Sequence, residues 1–164
     1  MYSKPAIAAI MAAIVLTIST GARATPTDDA CSLLTQSQVS AALGIPMGAG
    51  QAIPPNVPGR PAPTASKMCG WNEPGSDTPS PKRVVLAIMT TQSFATGKTP
   101  VQGITKAPVT GLGDDAYYIT TPGLGTGLNV QKGNTALQVR VYGFPEDQIK
   151  TMEKALAENA VAKL

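Results

Sequence analysis

The residue types that carry most protein chemistry are sparse in this chain. It has two cysteines, Cys31 and Cys69, adjacent aspartates at 28–29 and 114–115, scattered serines and lysines, and no histidine in 164 residues. Without histidine there is no Ser-His-Asp or Cys-His arrangement, and most zinc-ligand sets are lost as well. Asp114 and Asp115 are a carboxylate pair of the kind that binds calcium or exchanges protons. Successive strand residues point to opposite faces, however, so the two do not converge, and Gly113-Asp114 reads as turn chemistry before a strand. Ser37 and Ser40 stand on a helix that lacks a Ser-x-x-Lys. Gly123-Leu124-Gly125-Thr126-Gly127 is glycine-dense, but a phosphate cradle must open a helix, and a strand follows here. No catalytic residue, metal or cofactor is expected.

The cysteines are 38 positions apart, far from the Cys-X-X-Cys spacing of a redox dithiol. In an oxidising compartment they read as one disulfide, and the loop it closes is worth about 4 kcal/mol through chain entropy.

That compartment is indicated at the start of the chain. Lys4 and the amino terminus precede an apolar run from Ala6 to Ile18, and Ala22-Arg23-Ala24 follows, the layout of a signal peptide over residues 1–24 cleaved after Ala24. The run is shorter than the roughly 20 residues of a membrane span, so no span is expected after cleavage. Cys31 follows Thr27-Asp28-Asp29-Ala30, the wrong context for lipid attachment. Removing Lys4 and Arg23 takes the net charge from +3 to +1. A near-neutral domain with few aromatic residues has neither the electrostatic footprint nor the stacking platform for nucleic acid. Export to the periplasm or the medium is expected.

Residues 25–164 read as a single domain. Thr35 and Gln38 form a capping box, Val39, Ala42 and Leu43 an apolar stripe, and Gly44 a stop, which defines a first helix. A Pro-rich loop follows over 46–66, unable to supply a central strand through its prolines. Met68–Asn72 is a short strand whose Trp71 packs beside the disulfide. Val84–Met89 is apolar on both alternations, and Phe94–Lys98 is a short helix. Residues 100–109 carry weak signals and read as loop. Strands follow at Asp115–Thr121, Leu128–Lys132 and Thr135–Tyr142, the last two joined by a Gly133-Asn134 turn. A final helix starts at Pro145 and carries Ile149, Met152, Leu156, Ala160 and Leu164 on one stripe. The sum is a two-layer α+β fold, an antiparallel meander of about five strands with the N- and C-terminal helices packed on one face.

The Gly133-Asn134 turn fixes register: Val130 faces Leu137 and Leu128 faces Val139, on the apolar side. Continuing that face places Ile119 near Leu128 and Tyr117 near Val130. The opposite, polar face then carries Tyr118, Asn129, Gln131, Gln138, Arg140 and Tyr142, a composition suited to meeting a partner.

Several segments together carry a resemblance: Cys31-Ser32-Leu33-Leu34-Thr35, Ala42-Leu43-Gly44, Cys69-Gly70-Trp71, Gly111-Leu112-Gly113-Asp114-Asp115-Ala116-Tyr117-Tyr118, Val130-Gln131-Lys132-Gly133 and the apolar C-terminal helix. The chain resembles a family of small exported bacterial proteins of unknown function, many of them actinobacterial cell-envelope lipoproteins. The resemblance implies a disulfide-linked α+β envelope domain with no established activity and no catalytic residues to carry over. This chain departs from it in lacking a lipid-attachment cysteine, in its long Pro-rich insert and in the poorly helical stretch after Phe94. The expected function is non-catalytic binding of an envelope protein or small ligand through the polar face. The alternatives are a hydrolase with an unusual Ser/Lys or Asp site and a structural envelope component.

Overall fold

Among the described residues, seven strands form one open antiparallel sheet in the order β1-β2-β3-β7-β6-β5-β4. The computed structural model describes residues 29–54, 67–76 and 80–164. The expected signal peptide, residues 1–24, and residues 55–66 of the Pro-rich loop lie outside the described residues. The strands are β1 (Gln51–Ala52), β2 (Met68–Asn72), β3 (Arg83–Thr90), β4 (Thr105–Val109), β5 (Asp115–Thr121), β6 (Gly125–Lys132) and β7 (Thr135–Tyr142). The helices are α1 (Gln36–Leu43), α2 (Thr91–Lys98) and α3 (Glu146–Val161).

The α+β class holds, with seven strands in place of five. Both additional strands are at the sheet edges. β1 is two residues long, set within the Pro-rich loop and paired with Gly70 and Cys69. β4 contains Pro108, which is tolerated because an edge strand has one row of backbone groups outside the ladder.

Local chemistry accounts for the first helix. The Thr35 side chain accepts from Gln38 N while Gln38 Oε1 accepts from Thr35 N, and Gly44 ends the helix at φ 69°. α1 packs on α3, and α3 packs across β6 and β7. Between the helices and the sheet lies the main core, which includes Leu33, Val39, Trp71, Val84, Leu86, Leu128, Val130, Leu137, Val139 and Leu156. Cys31 and Cys69 are joined with their Cα atoms 5.0 Å apart, which ties the turn before α1 to β2. Gly50 closes over this corner: a side chain there would meet both the Trp71 indole and Cys69 Sγ within 3.0 Å.

The register follows the sequence at β6–β7, where Val130 pairs with Leu137 and Leu128 with Val139. It departs by one residue at β5–β6, where Tyr118 pairs with Leu128 and Ala116 with Val130. Tyr118 is therefore on the helix-covered face, and Tyr117 and Ile119 are on the other. That second face has its own small core: Phe94 from α2 packs with Tyr117 and Ala136, flanked by Met89 and Ile119. The Phe94 and Tyr117 rings meet edge-on at 5.1 Å, and Tyr117 Oη donates to Phe94 O at 3.1 Å. Among the described residues, α2 is the helix that packs on the second face, and it covers one end of it.

Candidate functional site

Five of the six residues expected on the polar face are there: Asn129, Gln131, Gln138, Arg140 and Tyr142. Tyr118 is not. Its hydroxyl donates to Lys150 O on α3 at 2.7 Å. Burial, reinforced by the negative charges of Glu153 and Glu158, pushes its phenol up to about 12.

The polar residues act on one another along a line across the strands. Arg140 Nε donates to Gln138 Oε1 at 3.1 Å, and Gln138 Nε2 donates to Asn129 Oδ1 at 2.8 Å. Asn129 is buried, and its Nδ2 has no partner among the described residues. Gln131 stands apart at the turn, bonded weakly to Gly133 O at 3.4 Å. On the neighbouring strand, the Arg83 guanidinium lies over the Tyr142 ring at 4.2 Å and donates to Ser80 O.

Beneath these groups the floor is formed by Gly70, Val85 and Ala87, with the Gln51 and Asn72 amides at the β1–β2 end. Two adjoining depressions, of about 390 and 320 Å³, share Arg83 and Val85. The first extends over Ala87 and Gln138 to Leu124 and Arg140, and the second over Gly70 to Ile53. Together they form a trough running across β1, β2, β3 and β7. No acidic side chain lines it among the described residues.

Sequence reasoning missed two features of this region. Gly127, part of the glycine-dense segment, is where Arg140 lies against β6: a Cβ there would be 3.0 Å from both Arg140 Cγ and Nε. The same loop presents Leu124, 65% exposed, at the rim of the trough. The segment leads into β6 and not into a helix, so its glycines serve turn and packing. The second omission is Glu153. It is fully buried on the inner stripe of α3, four residues after Ile149 and three before Leu156. Its place in that period was the available signal. Burial raises its carboxyl from 4.5 to about 8, against the lowering effects of the Val141 N–H and the Arg140 and Lys150 charges.

The paired aspartates diverge. Asp114 Oδ2 accepts from Gly133 N at 2.6 Å and pins the β6–β7 turn, while Asp115 pairs with Lys98 and clasps the end of α2. Three serine hydroxyls are spent on local backbone and caps: Ser40 Oγ accepts from Met47 N, Ser76 Oγ donates to Glu73 O, and Ser93 Oγ meets Thr90 Oγ1, while Ser80 Oγ is buried with no partner among the described residues. Among the described residues no helix is long and apolar enough to cross a membrane.

No protein-family model, curated protein or solved structure matches the chain. Function must be argued from the geometry.

Proposed function

We propose that this chain is an exported, non-catalytic interaction domain of the cell envelope, as its resemblance to small exported envelope proteins implies. Its binding surface on this reading is the uncovered part of the second sheet face. One observation carries the proposal: among the described residues α2 covers only one end of that face, and beyond it lies a trough rimmed by Arg83, Arg140, Tyr142 and Leu124. Antiparallel sheets often leave one face to solvent, but such faces are usually polar throughout. Here Val85 and Ala87 are half-buried beside Met68, which is 39% exposed. The line from Arg140 through Gln138 to Asn129 fixes the donors before any partner arrives, which lowers the ordering cost of association.

A photocrosslinking residue at position 87, in protein exported by its own host, tests the reading. A discrete adduct is expected from position 87, and none from position 154 on the exposed side of α3. Equal labelling at both positions would overturn it.

A further inference from the structure

The trough has a definite chemistry, and resting on the surface assignment above, we infer that its ligand is an acidic peptide segment bound in extended form across the strands. Three observations carry this. The first is charge. Arg83 and Arg140 are the ionised groups of the lining, and no carboxylate among the described residues opposes them there. Arg140 gives its Nε to Gln138, and no described residue takes a hydrogen bond from its Nη groups. A planar donor edge is thus left for a carboxylate, the acceptor that guanidinium geometry fits best.

The second is the character of the remaining wall. Ile53, Val85, Ala87 and Leu124 are aliphatic, Gly70 adds no side chain of its own, and the polar members Gln51, Asn72 and Gln138 are uncharged amides. Aliphatic walls around two guanidinium groups suit a chain that alternates apolar and acidic side chains. A glycan would call for an open aromatic platform. The one aromatic ring in the lining, Tyr142, already carries Arg83 on its face.

The third is shape. The two depressions lie side by side across neighbouring strands, each partly walled and partly open. With strands about 4.8 Å apart, the path from β1 to β7 spans about 14 Å, the reach of roughly four extended residues, with Leu124 at its far rim.

The probe is an acetylated, amidated hexapeptide alternating leucine and glutamate, added to the isotope-labelled mature protein. A glutamine-for-glutamate peptide and an oligogalacturonate serve as comparisons. The acidic peptide should shift the amides of Gly70, Val85, Ala87 and Gln138 and leave those of α3 in place. The glutamine peptide and the Arg140→Gln protein should each bind at least tenfold more weakly. Ala87→Glu, which adds a carboxylate to the floor without removing a donor, should abolish binding while the rest of the amide spectrum stays native. Equal binding of the glutamine peptide, full binding by Ala87→Glu, or trough shifts produced by the oligogalacturonate alone would each overturn the acidic-peptide assignment. In those cases a discrete crosslink from position 87 would still stand for the surface itself. Equal crosslinking at 87 and 154 would remove the surface reading as well.

Discussion

Glu153 Oε1 accepts a hydrogen bond from the Val141 amide at 3.1 Å, joining α3 to the end of β7. The β6–β7 ladder stops at Leu128–Val139, while β7 continues to Tyr142 alongside β3. A continued ladder would have given the Val141 N–H to β6, since bonded pairs alternate outward from the Lys132–Thr135 pair at the turn. The carboxyl group on α3 replaces that missing strand partner. Its other oxygen has no partner among the described residues. A fully buried carboxylate with one donor is costly, which is why the protonated form is favoured in the fold.

This arrangement sets a pH dependence. The folded carboxyl titrates near 8 and the unfolded one at the ordinary 4.5. Between those values the fold holds a proton that the unfolded chain has released, so stability falls as pH rises through that window. Below 4.5 and above 8 the group adds no further slope. The loss from pH 5 to pH 8.5 should be on the order of a few kcal/mol. The Glu153→Gln substitution keeps an acceptor for the Val141 N–H without a charge, so it should flatten the slope. Urea midpoints across the range measure it, and an unchanged slope in the variant would refute the assignment.

The Cys31–Cys69 bond should dominate the stability of the corner that holds Trp71. Replacing both cysteines by serine should cost about 4 kcal/mol by the chain-entropy relation for its loop. The exported protein should have a mass two hydrogens below that of its reduced form. Two free thiols in material recovered from outside the cytoplasm would contradict the pairing.

Phe94 is the anchor of α2 on the second face. Truncating a buried phenylalanine typically costs about 3–5 kcal/mol. Here the contacts belong to a small separate cluster, so Phe94→Ala should mainly release α2 as a local unit. Amide exchange should quicken from Thr91 to Lys98 while α3 keeps its protection. Equal acceleration in α3 would show that the two clusters unfold as one.

Much of this fold was legible because local signals agreed with one another. Thr35, Gln38 and Gly44 marked the first helix, and a two-residue turn fixed the pairing of β6 with β7. β5 was harder. Its register depends on the length of the turn between Thr121 and Gly125, which pair across three intervening residues. Gly123, Gly125 and Gly127 accommodate several turn lengths and contribute no side chain to the period-two pattern. With Tyr117 and Tyr118 adjacent, either phase leaves an aromatic residue on the core. The structure buries both, one beneath α2 and one half-buried beside α3. Tyr118 was misplaced by that one-residue slip, and the five other face residues were not. The trough itself was illegible, since it depends on how far α2 extends over the sheet and on Arg83, which no pattern singles out.

Gly127 offers the sharpest test of how the candidate site is built. Its φ lies outside the left-handed region, so its backbone tolerates a side chain, and alanine would even raise strand propensity slightly. The constraint is steric. A methyl group would be 3.0 Å from Arg140 Cγ and Nε, the middle of the side chain and not its free end. Gly127→Ala should therefore lift Arg140 off β6 and break the Nε–H bond to Gln138, with less than about 1 kcal/mol change in stability. Arginine Nε–H resonances report that bond directly. Binding of the acidic hexapeptide should weaken several-fold, while its residual contacts with Val85 and Ala87 persist. Unaltered Arg140 resonances together with unaltered affinity would mean that the glycine serves only the turn.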